Sequence, residues 1–346
     1  MKYNENDTTE NRLIKKITAL LIAVMICPVI ISQTGCAAKH EPVSDEGFYF
    51  DTVCRISIYD MDEKKAKSLI EDAFKLCAGY DDLFSKTKKD SEIYRINHAS
   101  GKSVSCSKDT VKCIALGLRY GRLSAGKFDI TIGTVSDLWN FHHNKSTLPP
   151  KNKIDEALKR VGYRQVRIDK DSVTAIKGGE IDLGGIGKGY VADKILEYLS
   201  GKGVKSAVID LGGNIEVLGD KEGKPFDIGI EKPYSDMSEI IGSVEAKDMS
   251  LVTSGVYERY FEYKGKKYHH ILDPATGYPA ETDVVGVTIL AKSGKSAESD
   301  ALATTCLLIG EKKSMALIEK MPGYEALFID KSGKIKITDG FDLKEQ

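Results

Sequence analysis

The chain has 346 residues, of which 41% are hydrophobic, 8% aromatic and 29% charged. This length allows one large domain or two ordinary ones, and the composition is typical of a globular protein with a substantial core. The aromatic content excludes a disordered chain. The formal net charge of -1 gives no sign of the basic surface that nucleic-acid binding requires, so no nucleic-acid partner is expected.

The N-terminal segment has the layout of an export signal. Basic residues precede an apolar run over residues 17–31, which gives way to small and polar residues before Gly35 and Cys36. This order is typical of a secretory signal, and the run is shorter than the roughly 20 apolar residues that cross a bilayer. We therefore expect the body of the protein to be exported.

Cys36 resembles the cysteine that bacterial lipoproteins acylate after signal cleavage, although Gln33 stands where that motif usually has an aliphatic residue. On this resemblance, residues 1–35 are a lipoprotein signal peptide, Cys36 carries lipid such as palmitate, and residues 36–47 form a polar tether. An uncleaved N-terminal anchor is the alternative. Both interpretations place the body at the extracytoplasmic face of the cell membrane.

Five of the seven cysteines lie outside the signal and the lipid site. Their number is odd, no CxxC motif occurs, and most of them lie within apolar or amphipathic stretches. This pattern favours buried free thiols over a disulfide framework or a zinc site. The five are Cys54, Cys77, Cys106, Cys113 and Cys306.

Hydrophobic periodicity predicts the elements of the body in chain order. A strand over residues 48–59 comes first, and a hairpin that turns at residues 331–333 comes last. Between them we predict helices over residues 62–84, 109–124, 153–161, 188–199 and 296–308, the third of which ends on Gly162. We predict further strands over residues 226–230, 240–244, 257–263, 267–272 and 284–290.

The order of these elements predicts the fold class. Helices and hairpins are mixed, without the regular βαβ alternation of a doubly wound sheet. This favours an α+β fold with mixed, largely antiparallel sheets and flanking helices. No internal linker divides the body, so we predict one domain over residues 48–340.

The first candidate motif is Ser-Ala-Gly-Lys-Phe-Asp-Ile-Thr over residues 124–131. Its glycine turn is followed by Lys127, Phe128 and Asp129, and could present an aromatic face and a carboxylate to a ligand. The alternative is a helix end that leads into a buried strand. The motif alone favours that alternative.

The second candidate motif is Ile-Asp-Leu-Gly-Gly-Ile-Gly-Lys-Gly-Tyr over residues 181–190, in which an apolar strand runs into a glycine-rich turn that opens a helix. Glycines let the backbone approach a phosphate, a helix N-terminus attracts anions, and Lys188 adds a positive charge. The spacing matches neither the P-loop nor the usual dinucleotide-binding fingerprint. An ordinary turn is the alternative.

The third candidate motif joins Thr-Ser-Gly at residues 253–255 to His-His-Ile-Leu-Asp-Pro-Ala-Thr-Gly-Tyr-Pro at residues 269–279. Asp-Pro and Thr-Gly are turn dipeptides, so His270 is expected to end a strand and to face a rigid loop. A histidine in this position can act as a general base or contact phosphate. A hydrogen-bonded structural histidine is the alternative.

The fourth candidate motif is Asp300 and Thr304 within a predicted helix. The two residues lie one turn apart and therefore share a helix face. A carboxylate and a hydroxyl are hard oxygen ligands, and two of them leave room for backbone, water and phosphate oxygens around Mg²⁺. The alternative is a surface aspartate beside a core threonine.

Taken in this order, the motifs SAGKFDIT, IDLGGIGKGY, TSG, HHILDPATGYP and SDALATT resemble those of the ApbE family, bacterial FAD:protein FMN transferases that are commonly lipoproteins. The resemblance includes Phe-Ser at residues 84–85 and Asp-Ser-Glu-Ile-Tyr-Arg-Ile-Asn at residues 90–97, and it runs from about residue 48 to about residue 330. It implies a compact α+β body in which FAD lies in a cleft with a divalent metal at its pyrophosphate.

The resemblance implies an enzyme that transfers FMN from FAD to a Ser or Thr hydroxyl of a target flavoprotein, forming a phosphoester and releasing AMP. It implies Mg²⁺ bound by Asp300, Thr304 and the backbone carbonyl of Gly185. The catalytic residues are then His270 and Asp300, with His270 as the expected base and Asp300 as the alternative base. The residues implied to contact FAD are Lys127, Phe128, Asp129, Asp182, Lys188 and His270.

The family's usual acceptors are membrane flavoprotein subunits of Rnf- and Nqr-type electron-transport complexes, so one of these is the expected partner, with FAD and Mg²⁺ as substrate and cofactor. Two other functions stay open. One is a Mg²⁺-dependent FAD pyrophosphatase that gives FMN and AMP, which would leave FMN free. The other is a non-catalytic FAD-binding lipoprotein, which would retain FAD unchanged.

Overall fold

The computed structural model describes residues 41–139, 141, 147–235 and 239–345. The predicted signal peptide over residues 1–35 and the predicted lipid site at Cys36 lie outside the described residues. Every residue predicted to bind FAD or metal lies within them.

Eight α-helices lie in the described part of the chain. They are α1 (Glu63–Phe84), α2 (Glu92–His98), α3 (Lys108–Leu123), α4 (Gly133–Trp139), α5 (Lys151–Leu158), α6 (Gly187–Gly201), α7 (Ser296–Ile309) and α8 (Glu311–Ile318). Polar caps begin two of the long ones. Asp62 accepts a hydrogen bond from the backbone N–H of Lys65 before α1, and Ser107 accepts one from Thr110 before α3, as N-capping residues do.

The described strands form one large and three small sheets. They are β1 (Val43–Tyr49), β2 (Thr52–Ile58), β3 (Val104–Ser105), β4 (Arg167–Asp169), β5 (Ser172–Thr174), β6 (Ala207–Leu211), β7 (Asn214–Leu218), β8 (Phe226–Glu231), β9 (Ile240–Ala246), β10 (Met249–Gly255), β11 (Tyr260–Tyr263), β12 (Lys266–His269), β13 (Val284–Lys292), β14 (Tyr324–Asp330), β15 (Ile335–Ile337) and β16 (Lys344–Glu345).

The large sheet has the order β1-β2-β6-β7-β10-β13-β14-β15, and all of its neighbouring strands are antiparallel. The small sheets have the orders β16-β9-β8, β3-β5-β4 and β11-β12, and they too pair antiparallel. This confirms the predicted α+β fold with largely antiparallel sheets.

Helices cover one face of the large sheet. In β2, Cys54, Ile56 and Ile58 are fully buried, whereas Val53 and Arg55 on the opposite face are exposed, the alternation of a strand with one covered face. Helix α1 packs on β1 and β2, α6 on β6 and β7, and α7 on β7, β10 and β13. Because α7 is buried along most of its length, the predicted metal ligands that it carries are held on a rigid element.

The prediction of a single strand over residues 48–59 is wrong, because this segment is a hairpin. Phe50 and Asp51 form the turn between β1 and β2, with φ of 53° and 58°. Two-residue hairpin turns favour positive φ, but neither residue is a glycine that would mark the turn in the sequence. β1 begins inside the predicted tether over residues 36–47, so the folded body starts earlier than predicted. It also continues past residue 340, since β16 pairs with β9.

Two further predictions differ from the structure. Helix α5 ends at Leu158 with Lys159 as its C-cap, so Gly162 does not end this helix. Strand β10 was not predicted, because polar residues such as Ser250 and Thr253 interrupt its apolar pattern. It forms because it lies between β7 and β13 in the middle of the large sheet.

The five cysteines of the described body are buried free thiols, which confirms that prediction. Burial raises the pKa of Cys54 to about 11 and that of Cys77 to about 12, so these thiols stay protonated and unreactive. Among the described helices, none has the length and apolar character needed to cross a membrane.

Candidate active site

Helices α6 and α7 cross at close range where the second and fourth motifs meet. A Cβ atom on Gly189 would lie 2.3 Å from the carbonyl oxygen of Ser296, so only glycine allows this approach. The backbone N–H of Gly189 donates to Oδ2 of Asp300 at 3.0 Å. Asp193 of α6 accepts from the backbone N–H groups of Ser296 and Ala297 at 2.8 and 3.0 Å. Helix α6 therefore fixes both the first turn of α7 and the carboxylate of Asp300.

The three residues of the predicted metal site are brought together at this crossing. A Cβ atom on Gly185 would lie 3.3 Å from Oγ1 of Thr304, one helical turn along α7 from Asp300. The neighbouring Thr305 is buried and donates its hydroxyl to the carbonyl of Ala301 at 2.7 Å, whereas Thr304 is partly exposed. The hydroxyl of Thr304 is therefore the one that faces the glycine-rich turn.

Asp300 is a buried carboxylate without a counter-ion of its own. It is 3% exposed, and no ion pair joins it to a cationic side chain of the described residues. Burial raises the pKa of Asp300, although Lys188, the N–H of Gly189 and Asn214 oppose the shift. An unpaired buried charge is costly, and a bound cation would relieve that cost and favour the ionised carboxylate.

The surroundings of Asp300 fit a hard cation. Asn214 is fully buried beside it. The amide of Asn214 is near enough to lower the pKa of Asp300, yet it has no well-formed hydrogen bond in the described part of the chain, which is unusual for a buried amide. Across the same ranges, no group of three or more His, Cys, Asp or Glu side chains could hold a metal. A metal at Asp300 would therefore also need hydroxyl and carbonyl oxygens, such as Thr304 and Gly185 offer, and Mg²⁺ accepts these.

Lys188 brings a positive charge to the same place. It lies in the first turn of α6, and its Nζ donates to the carbonyl of Gly212 at 2.9 Å. Gly212 and Gly213 form the turn between β6 and β7 with φ of 65° and 86°, a conformation that favours glycine. The charge of Lys188 is close enough to oppose the raised pKa of Asp300 and to lower the pKa of His270. The second, third and fourth motifs thus share one electrostatic environment.

His270 follows β12 and is held as a neutral imidazole. Its Nδ1 lies 3.2 Å from the carbonyl oxygen of Arg259. Because a carbonyl only accepts, this hydrogen bond assigns the proton to Nδ1 and leaves the lone pair on Nε2. Burial lowers the pKa of His270 to about 3, and the positive charges of Arg259 and Lys188 add to the shift. At neutral pH the ring is therefore uncharged, with Nε2 unprotonated.

Lys127 and Phe128 link the first motif to the others. Nζ of Lys127 lies 2.6 Å from Oδ2 of Asp273, in the loop of the third motif. Phe128 is 4% exposed, and its ring would lie 3.1 Å from a Cβ atom on Gly185. The ring of Phe128 therefore packs against the turn that carries the predicted carbonyl ligand, and a side chain at Gly185 would have to displace the ring slightly.

Asp129 has a mainly structural environment. Its carboxylate accepts hydrogen bonds from the backbone N–H groups of Thr131 and Tyr163, both at 2.8 Å. Burial raises the pKa of Asp129, and these hydrogen bonds oppose the shift. The side chain of Asp129 thus holds the backbone beyond the first motif, as the helix-end alternative suggests, and its contact with FAD stays a prediction.

Asp182 lies at the start of the glycine-rich turn and has a cationic partner. Its Oδ1 accepts from the N–H of Gly184 at 2.8 Å. Its Oδ2 lies 3.0 Å from Nζ of Lys86 and 3.3 Å from the hydroxyl of Ser136. Burial opposes ionisation, but Lys86 and these hydrogen bonds hold the pKa of Asp182 below its ordinary value. Asp182 is therefore charged and paired within the chain.

Three residues of this site were not singled out from the sequence. Lys86 directly follows the Phe-Ser pair at residues 84–85, so the resemblance contained a signal for it. Asn214 directly follows a second Asp-Leu-Gly-Gly sequence at residues 210–213, which was also a usable signal. Arg259 acts through its backbone carbonyl, and no side-chain pattern can reveal such a role.

Comparisons with known proteins identify the family. The family model described as "ApbE family" matches residues 50–328, and these residues include every side chain of the site. The chain belongs to the ApbE family. Two relatives, both named FAD:protein FMN transferase, support the membership. The one from Treponema pallidum (strain Nichols) is 33% identical over 339 residues, which cover 92% of this chain and 93% of the relative. The one from Klebsiella pneumoniae (strain 342) is 33% identical over 287 residues, which cover 82% of this chain and 87% of the relative.

Solved structures of ApbE proteins have the same fold. The ApbE protein of Thermotoga maritima superposes with a TM-score of 0.80 at 32% identity, over 88% of this chain and all of that one. The flavin transferase ApbE from Vibrio cholerae superposes with a TM-score of 0.76 at 29% identity, over 86% of this chain and 96% of that one. The ApbE resemblance seen in the sequence is confirmed.

Proposed function

We propose that this chain is an FAD:protein FMN transferase, the activity for which its relatives are named, and that it moves FMN from FAD to a Ser or Thr hydroxyl through a phosphoester bond. The observation that carries the proposal is the meeting of Asp300, Thr304 and Gly185 beside Lys188 and the neutral His270. Phosphoryl transfer needs positioning, charge neutralisation and a base, and these residues can supply all three.

The metal of the proposal is Mg²⁺, held by the carboxylate of Asp300, the hydroxyl of Thr304 and the carbonyl of Gly185. When bound, Mg²⁺ would neutralise charge on the pyrophosphate oxygens. The fit rests on the uncompensated buried charge of Asp300 and on the unpaired amide of Asn214.

The chain's own cations would orient the substrate. Lys188 and the N-terminus of α6, which begins at Gly187, favour an anion at the glycine-rich turn. Lys127, Phe128, Asp129 and Asp182 would line the nucleotide on the other side of that turn. Lys127 is bound to Asp273 and Asp182 to Lys86, so these side chains are positioned before FAD binds.

His270 would act as the base. The oxygen of the acceptor hydroxyl bonds to the phosphorus of the FMN half, the bond from that phosphorus to the AMP half breaks, and AMP leaves with the electron pair. The hydroxyl proton passes to Nε2 of His270. Burial is the largest cause of the lowered pKa of His270. The negative pyrophosphate would offset the smaller contributions of Arg259 and Lys188 and so raise the proton affinity of Nε2.

We further propose that the acceptor is a membrane flavoprotein subunit of the Rnf or Nqr type and that lipid on Cys36 holds the enzyme at the extracytoplasmic face of the membrane. The support is the signal-like sequence before Cys36. The substitution Cys36→Ser should release the protein into the soluble fraction of cells. Continued membrane retention would favour an uncleaved anchor instead.

The decisive experiment is incubation of the protein with FAD, Mg²⁺ and the extracytoplasmic domain of such a subunit, followed by denaturing-gel fluorescence and quantitation of AMP. Covalent flavin on the acceptor together with stoichiometric AMP supports the transferase. Free FMN with AMP and no fluorescent band would assign a pyrophosphatase. Unchanged FAD would assign a binding protein.

A further inference from the structure

A protein acceptor needs a surface beside the reacting phosphate, and the face of the large sheet opposite its helices offers one. A groove of about 930 Å³ runs over this face, between β2, β6 and β7 on one side and β8 on the other. The sheet contributes Arg55, Ser57, Val208 and Ile215 to its floor. Strand β8 is an edge strand, since in the described part of the chain it pairs only with β9.

The groove leads to the candidate active site. Asp210 lines the groove, and its Oδ1 accepts from the N–H of Gly213 at 3.0 Å. That glycine belongs to the turn in which the carbonyl of Gly212 holds Lys188. From β8, Glu231 also lines the groove, and it lies close enough to Asp210 for their charges to interact. The groove therefore ends at the turn between β6 and β7, whose Gly212 carbonyl positions the ammonium group of Lys188.

Two pairs of exposed apolar side chains lie on segments that adjoin the groove and the site. Phe48 and Val53 are cross-strand partners of β1 and β2 and are 69% and 54% exposed. Tyr234 and Tyr260 are 45% and 41% exposed, and their ring centroids lie 5.7 Å apart. We call these four residues the rim. They are four of the six large apolar side chains exposed in the described ranges, and such clustering marks interaction surfaces.

The two halves of the rim are joined around His270. Arg259, whose carbonyl holds His270, directly precedes Tyr260, and its Nη1 lies 3.9 Å from Oδ2 of Asp51. Asp51 is in the hairpin turn between Phe48 and Val53. The two pairs of rim residues are therefore connected through Asp51 and Arg259. The carbonyl of Arg259 positions His270, the proposed base.

We propose that the groove and the rim bind the acceptor protein, with an extended segment lying along the groove beside β8 and its Ser or Thr hydroxyl at the rim, facing His270. This inference rests on the proposed transferase function. The acceptor is favoured over other occupants because the surface is continuous with the reacting centre, and because the groove mixes cations such as Arg55 and Lys224 with anions such as Asp227 and Glu231. This composition suits a polar extended segment, which can also add to an open strand edge.

The test compares two double variants. Phe48→Ser with Val53→Ser alters the rim, and Leu123→Ser with Ile337→Ser removes the two exposed apolar side chains that lie elsewhere, at 44% and 41% exposure. With the acceptor domain used above, the rim variant should raise KM for the acceptor about tenfold and lower kcat much less, as loss of an interface anchor does. FAD affinity, measured by flavin fluorescence, should stay within about twofold. The control variant should keep the parent's KM.

Each outcome decides the inference. The docking inference would be overturned if the rim variant kept the parent's KM for the acceptor, or if its FAD affinity fell as much as its acceptor affinity. Covalent flavin formed by the parent would still support the transferase in either case. Absence of covalent flavin in the parent would overturn both. Dimers of the parent that the rim variant abolishes would assign the surface to a second copy of the chain and overturn it as well.

Hydrogen exchange gives a second readout that does not depend on turnover. Addition of the acceptor domain to the parent with FAD should slow amide exchange in β8. Strand β15 is the edge of the large sheet farthest from β1 in strand order, and its exchange should not change. Equal protection of both strands, or of neither, would contradict docking beside β8.

Discussion

Two carboxylates at the site have opposite environments. Asp182, before the glycine-rich turn, has a side chain 25% exposed and an ion pair with Lys86 at 3.0 Å, and its pKa is lowered. Asp300, on α7 behind the same turn, is 3% exposed and lacks an ion pair with any cation of the described residues, and burial raises its pKa. Lys86 compensates the first charge within the described chain, whereas no lysine or arginine there forms an ion pair with the second.

This difference distinguishes a carboxylate that is paired within the chain from one that is not. A buried charge without a compensating partner destabilises the folded state. Such charges are concentrated at functional sites. Asp182 can hold the turn in place with or without ligand. Burial disfavours the anionic form of Asp300, so under the proposed function a bound cation would stabilise that form.

The largest expected effect comes from removing the unpaired carboxylate. Asp300→Ala should lower Mg²⁺-dependent flavin transfer about 1,000-fold or more, because the metal loses its only charged ligand among the residues assigned to it. The measurement is the initial rate of covalent flavin formation at saturating FAD. As a control, Asp339→Ala removes an exposed aspartate and should keep the parental rate. If the Asp300→Ala enzyme retained most of its rate, Asp300 would not be the metal ligand that distinguishes it from Asp182.

The second prediction concerns the residue that accepts the proton. If Asp300 binds the metal, another residue must accept the proton of the acceptor hydroxyl. His270→Ala should then lower kcat about 100-fold while changing FAD affinity little. His98→Ala is a matched control, since Nδ1 of His98 also faces a backbone carbonyl, that of Tyr94 at 2.9 Å, but His98 is exposed at the end of α2. Equal losses of kcat and FAD affinity in His270→Ala would make His270 a binding contact and return Asp300 as the candidate base.

The paired carboxylate should respond in stability. Lys86→Met removes the cation that Asp182 shares with Asp137 and should cost about 2 kcal/mol of unfolding free energy at pH 7. The pKa of Asp182 is depressed by folding, so its contribution is present above the ordinary aspartate range and is lost as the pH falls through the folded value. The difference between parent and variant should therefore shrink in acid.

The measurement for Lys86→Met is urea unfolding at several pH values. Lys88→Met is the matched control, because Lys88 bridges Asp81 and Asp82 on the surface, where ion pairs contribute about 0–1 kcal/mol. A loss for Lys86→Met no larger than that of the control would show that Asp182 needs no compensation from Lys86.

The sequence predicted the local parts of this site better than their assembly. Asp300 and Thr304 were recognised because one helical turn separates them, and α1 and α3 were predicted close to their observed bounds because their apolar stripes are regular. The glycine-rich turn was recognised as a helix start. These signals all lie within a few residues of one another.

What the sequence could not predict depends on contacts between distant segments. The hydrogen bond from Gly189 to Asp300 joins residues 111 positions apart, and the ion pair of Lys127 with Asp273 joins residues 146 apart. The pairing of Lys86 with Asp182 and the groove beside β8 are of the same kind. A single sequence carries no periodicity for such contacts, so the resemblance to a family supplied what the residues alone left open.

The smallest predicted effect is a change in the stability of the metal-free protein, which should have opposite signs for the two carboxylates. Asp300→Asn should stabilise the metal-free protein by about 1 kcal/mol at pH 7, since it removes a buried charge while its amide oxygen can still accept from Gly189. The pKa of Asp300 is raised by folding, so the parent keeps the neutral carboxyl's stability below the unfolded value and loses it as the pH rises through the folded one. The gain should therefore vanish in acid. Urea unfolding in a chelator measures it, with Asp182→Asn, expected to destabilise at pH 7, as the matched control. If both amide variants shift stability in the same direction at pH 7, the two carboxylates do not differ as their environments indicate.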